Sequence, residues 1–139
     1  MQALNHEQVK YHDTVKICKE ILDSHLNIRS VSMSQQDGVI DYMVHRKDDE
    51  RLTTHQEGVS SLVQATVRFH NRVASTQGKF GKILFSLTVH EKVARVTMPI
   101  LQQAIHMSFD KDADYLGMIT NHVYPIIKKW EKKMQNLRN

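Results

Sequence analysis

The chain's 139 residues and 16.2 kDa are the size of one compact domain with a single core. Hydrophobic residues at 40%, charged residues at 24%, five Gly and two Pro exclude disordered, collagenous and low-complexity readings, and the single Cys18 excludes an internal disulfide or an all-cysteine metal site. The formal net charge of +4 is that of the last twelve residues, where Lys128, Lys129, Lys132, Lys133 and Arg138 stand against the lone acid Glu131, so the pI near 9.2 describes one helix end and not a basic body.

Residues 4–24 are expected to form a helix, because Leu4, Tyr11, Val15, Cys18 and Leu22 fall within an arc of about 60° at ~100° per residue. Asn5 with Gln8 resembles a capping box at its start. Two strand-like runs follow, Ile28–Ser34 and Val39–His45, joined by Gln35-Gln36-Asp37-Gly38, whose Asp-Gly pair signals a hairpin. The mixed-charge run Arg46 to Arg51 reads as a solvated loop. Thr54 with Glu57 then opens a middle helix over residues 55–76, closed near Gly78.

Three further strands are expected at Lys82–Val89, Val93–Met98 and Ala104–Phe109, with breaks short enough for antiparallel hairpins. A last helix follows an acidic lead, with Asp112 or Asp114 as N-cap and Tyr115, Ile119, Val123, Ile126 and Trp130 as its apolar stripe. Pro125 inside that stripe predicts a kink. The segment after Lys129 lies beyond most of the stripe and reads as dispensable for folding.

The order is α-β-β-α-β-β-β-α, an α+β fold with a five-stranded antiparallel sheet, in one domain spanning 1–139 with a basic helical end at 128–139. Opposed residues of an antiparallel pair share a face. Pairing Val31 with Tyr42, Phe85 with Met98 and Val96 with Met107 gathers Val31, Met33, Ile40, Tyr42, Ile83, Phe85, Leu87, Val96, Met98, Ile105, Met107 and Phe109 on one apolar face for the terminal helices. The opposite face collects Ser30, Ser32, Asp41, Met43, His45, Leu84, Ser86, Thr88, Arg95, Thr97, His106 and Ser108, and is left for the middle helix.

This order and coverage resemble the roadblock superfamily, the profilin-like fold of dynein light-chain roadblock proteins and of prokaryotic small-GTPase regulators. The segment Leu87–Ile100, with its Glu91-Lys92-Val93 turn and Pro99, and the segment His106–Tyr115, with its acidic lead, are similar to an uncharacterised family of small archaeal proteins. The resemblance implies a fold, a habit of dimerising and a small GTPase or other signalling protein as partner. It implies no catalysis.

The residues themselves point the same way. Cys18 sits in an apolar stripe where a thiol is inert packing, no Gly-x-Ser-x-Gly turn presents a serine, and Gly78-Lys79-Phe80-Gly81 is too short for a phosphate loop. The nine His show no His-x3-His pair and no Cys/His cluster, so no metal and no cofactor is expected. No apolar run reaches the roughly 20 residues of a membrane span, and Met1–Lys10 is too polar for a secretory signal, so a cytoplasmic protein with no membrane partner is expected.

Three functional readings remain. The middle helix carries an apolar arc of about 160°, wider than the ~100° one sheet can cover. Its residues Val59, Leu62, Val63, Thr66, Val67, His70 and Ala74 are the expected homodimer interface of a non-enzymatic regulatory or scaffolding module. Should His70 meet its twin there, association would weaken below about pH 6.5. The alternative is a small-anion sensor with a pocket formed by Asp41, His45, Arg95 and His106 on the polar sheet face. The third is a nucleic-acid, ribosome or acidic-partner binder using Lys128, Lys129, Trp130, Lys132 and Lys133.

Overall fold

The computed structural model describes residues 9–46, 51–76 and 78–138. Helix α1 (Tyr11–Asp23) leads into strands β1 (Ile28–Ser34) and β2 (Ile40–His45); helix α2 (His55–Ser75) follows, then β3 (Ser86–Val89), β4 (Val93–Ile100) and β5 (Gln103–Asp110). The chain ends in α3 (Tyr115–Met118), which passes through a π-helical turn (Ile119–Val123) into α4 (Tyr124–Arg138). The five strands form one antiparallel sheet in the order β2-β1-β5-β4-β3. The expected α+β architecture is the observed one.

The expected Asn5–Gln8 capping box lies outside the described residues, and Lys10 stands at the N-cap of α1 with no side-chain cap bond. The helix is rotated from its expected stripe: Thr14, Ile17, Cys18, Ile21 and Leu22 are buried, whereas Tyr11 is exposed and meets Tyr42 edge-on. Below α1 lies a core of Val31, Met33, Val96, Met98, Ile105, Met107 and Phe109, closed beside α1 by Ile119, Val123, Ile127 and Trp130.

Val96 pairs with Met107 as expected, and the β3–β4 ladder opens at Ser86–Thr97, one pair short of Phe85–Met98, because β3 begins at Ser86 instead of Lys82. In the first hairpin Val31 pairs with Val44, and Tyr42 with Met33. This slip of two residues keeps side-chain parity, so the apolar face survives it. Next to it a bulge between Met33 and Ser34 sets Ile40 opposite Ser34 and leaves Asp41 as the extra residue. The bulge exchanges the faces of both. Ile40 joins Ser34 on the α2 side, while Asp41 turns toward the terminal helices and accepts from Gln103 (2.9 Å) and Gln35 (3.0 Å). Gly38 in the turn has φ 92°, and a Cβ there would stand 3.0 Å from Val63 Cγ1, so the turn fits close under α2 only as glycine.

Asp114 caps α3 through Oδ1, which accepts from Gly117 N at 3.1 Å. The disturbance expected at Pro125 takes the form of the π-helical turn just before it, where Tyr124 N–H bonds to Ile119 O and the ladder skips one residue ahead of the proline ring. Beyond it, Trp130 and Met134 are buried and Glu131 accepts from Leu101 N at 3.0 Å, where φ is 51°. Against the expectation of a dispensable end, the segment after Lys129 packs side chains into the core.

Candidate functional site: the cavity under α2

Helix α2 starts with the reciprocal cap foreseen at Thr54. Thr54 Oγ1 accepts from Glu57 N (3.1 Å) and Glu57 Oε1 accepts from Thr54 N (2.8 Å). Although α2 has 21 residues, it buries only Leu62, Thr66 and Phe69. Its centre is held to the sheet by polar groups. His106 Nε2 lies 2.9 Å from Ser34 Oγ and 3.0 Å from Thr66 Oγ1, and His106 Nδ1 lies 3.0 Å from Thr97 Oγ1.

Counting donors fixes the roles. Thr66 Oγ1 donates its one hydrogen to Leu62 O (2.8 Å), so it accepts from Ser34 Oγ (2.8 Å). With the Ser34 hydrogen used, His106 carries its proton on Nε2 and accepts from Thr97 at Nδ1. All four side chains are buried. Burial first, then the charges of Arg95 and His70, push the His106 pKa down to about 4, so the ring is neutral at pH 7.

Beside this anchor a cavity of about 460 Å³ opens between α2 and the sheet. Its floor is the polar sheet face, including Ser30, Ser32, His45, Ser86, Arg95 and Thr97, and its roof is the α2 flank carrying Ser61, Ala65, Arg68 and Arg72. Arg95 is half-buried and donates from Nη1 to Ser61 Oγ at 2.5 Å. Burial and then the neighbouring Arg68 lower its pKa. Arg72 Nη1 donates to Ser86 Oγ at 2.7 Å. At the mouth, burial followed by the charges of Arg51 and His55 lowers the pKa of His45.

Of the four residues expected to form a pocket, His45, Arg95 and His106 line this cavity and Asp41 does not, having been turned to the other face by the bulge. Ser61, Arg68 and Arg72 were not foreseen. Their spacing of seven and four residues along one flank of α2 was the available signal.

No protein-family model and no curated protein matches the sequence. Solved structures do match in shape. MglB in a tetrameric arrangement superposes with a TM-score of 0.71 at 12% identity, over 91% of this chain and 90% of that one. The gliding protein MglB from Thermus thermophilus gives 0.71 at 12% identity, over 91% of both chains. A Roadblock/LC7 domain from Streptomyces avermitilis gives 0.67 at 7% identity, over 86% of this chain and 96% of that one. The chain has the roadblock fold.

On this roadblock fold the middle helix divides its apolar arc. Leu62 and Thr66 are buried on the protein's own sheet, Val59, Val63 and His70 are partly covered, and Val67 and Ala74 are exposed. His70 stacks edge-on to Phe69, and its Nε2 is buried without a hydrogen-bond partner among the described residues. Burial lowers its pKa.

The basic end of α4 is less open than its sequence suggests. Lys128 pairs with Glu131 (3.3 Å), Lys129 pairs with Glu20, and Lys133 lies 4.6 Å over the Trp130 ring, leaving Lys132 exposed without such a contact among the described residues. Trp130 is buried and donates from Nε1 to Glu20 at 2.9 Å, so the ring expected to stack on a nucleotide packs against α1 instead. Among the described residues no group of three His, Cys, Asp or Glu could hold a metal ion, and no helix is long and apolar enough to cross a membrane.

Proposed function

We propose that this protein is a non-enzymatic regulatory or scaffolding module that works as a homodimer, with the outer flank of α2 as the pairing surface and a small GTPase or other signalling protein as its partner. The observation that carries this reading is the uncovered valine flank of α2. Val67 keeps 43% of its surface exposed, and Val63 and Val59, one and two turns before it on the same flank, are only partly covered. A stripe of β-branched apolar residues along a helix is a self-complementary surface for a two-fold axis.

Two further observations support it. The similar MglB has been solved in a tetrameric arrangement, so a chain of this fold is found in an assembly. Cys18, the sequence's one thiol, is fully buried with its pKa pushed up to about 12 by burial and then by Asp41, which unfits it as a nucleophile.

Sedimentation tests the reading. The protein is expected to sediment as a dimer at micromolar concentration, and Val67→Glu is expected to stay folded by circular dichroism but sediment as a monomer, because pairing would bury an unmatched carboxylate. A wild-type protein that is already monomeric there removes the proposal.

A further inference from the structure

We propose that the cavity under α2 is a binding site for a small organic anion, with a phosphate or carboxylate head held by arginines and an apolar body against the helix. This site is separate from the valine flank and does not depend on dimerisation.

Charge is the first ground. Arg51, Arg68, Arg72 and Arg95 line the cavity together with Arg29, which is paired with Asp110 (3.3 Å), and the described lining residues include no aspartate or glutamate. No carboxylate among the described residues makes an ion pair with any of the other four. Arg68 and Arg95 are close enough for one charge to act on the other. With no acid between them among the described residues these two guanidinium groups repel, and the half-burial of Arg95 weakens the screening that water gives. An oxyanion between them would reverse both costs, since the planar fork of arginine matches phosphate and carboxylate oxygens with paired hydrogen bonds.

Shape and lining are the second ground. A volume of about 460 Å³ lies in the range of small-molecule sites, and α2 above with the sheet below leaves room for a compact ligand. The floor supplies serine and threonine hydroxyls, which serve as donors or acceptors, while Met43, Leu62 and Phe69 give an apolar wall. His106, neutral at the cavity's edge and already bonded at both nitrogens, adds no charge of its own. The arginines alone therefore set the preference for an anion.

The test is thermal unfolding of the full chain at constant ionic strength with inorganic phosphate, phenyl phosphate, benzoate and phenol, each at about 10 mM. Phenyl phosphate or benzoate is expected to raise Tm by a few degrees, inorganic phosphate by less and phenol not at all. The order of phenyl phosphate and benzoate then identifies the head group. Titrations with Arg68→Gln and Arg95→Met are expected to show about tenfold weaker binding of the better anion, whereas Lys132→Gln binds it as the wild type does. Arg68 is exposed, so its variant keeps the test decisive if Arg95→Met fails to fold.

Four results would overturn the proposal. These are no shift with either aromatic anion, an equal shift with phenol, affinity unchanged in both arginine variants, or stabilisation by a hexaglutamate peptide where the small anions have none. The last would assign the arginines to an acidic segment of a protein partner.

Discussion

The two faces of the sheet are built from the same strands by the same alternation, yet they hold their helices by different means. On one face α1 and α4 close over side chains with almost no exposed surface: Ile17, Ile21, Met33, Ile105, Phe109 and Ile127 are all at 2% or below. On the other, α2 buries three residues, and a cluster of four hydrogen-bonded side chains centred on His106, with Ser34, Thr66 and Thr97 around it, fixes its position over open volume. Dispersion and burial lock the first helix layer. The second is located by hydrogen bonds, whose net contribution is modest but whose geometry is specific. Stability is thus concentrated on one side of the sheet, and the other side is left free to carry a cavity.

A pair of matched truncations gives the largest expected effect. Phe109→Ala removes a fully buried ring from the terminal-helix face and is expected to cost about 3–5 kcal/mol in urea unfolding. Phe69→Ala removes the same side chain from α2, where Phe69 borders the cavity, and is expected to cost about half as much. Equal losses would show that α2 is packed as tightly as the terminal helices.

Much of this contrast is legible in the sequence. Alternation alone separates the two faces of β4 and β5, and it places Arg95, Thr97, His106 and Ser108 together on the α2 side. What alternation does not show is an extra residue. The run Ile40 to His45 holds no glycine or proline, so nothing in it marks the bulge that turns Asp41 away from the cavity and sets Ile40 opposite Ser34. Lys82 to Phe85 is apolar enough to read as a strand but lies outside the ladder, because pairing depends on a neighbour and not on the segment itself. Arg68 and Arg72 read as a solvated helix flank. Only the height of α2 above the sheet makes them cavity walls, and that height is set by Thr66 and His106, which are 40 residues apart in sequence.

The hydrogen-bonded anchor makes the α2 face sensitive to acid. An unfolded histidine titrates near 6.5 and His106 in the fold at about 4. Between these values the unfolded chain binds a proton that the folded chain refuses, so stability present above pH 6.5 is lost progressively as pH falls toward 4. The whole window is worth on the order of 3 kcal/mol. His70 and His45, also lowered, act in the same direction. Urea midpoints at pH 7.5 and 4.5 are expected to differ more for the wild type than for His106→Gln, and equal differences would remove His106 as the cause.

The smallest expected effect is a gain, and it comes from the looser helix. Gly58 sits in the first turns of α2, where glycine costs about 1 kcal/mol against alanine through the backbone freedom it loses on folding. A Cβ placed there would meet only Thr53 Oγ1, at 3.6 Å, an ordinary contact that nothing has to move to allow. Gly58→Ala is therefore expected to stabilise the protein by about 0.5–1 kcal/mol, read as a rise of a few degrees in Tm. Because Gly58 also lines the cavity, the added methyl narrows its mouth without touching an arginine. A gain in Tm together with weaker binding of phenyl phosphate would show that stability and access to the site oppose each other on this face. A loss in Tm would mean that α2 needs the freedom of Gly58 to seat on the sheet, and that its start is more strained than its cap geometry indicates.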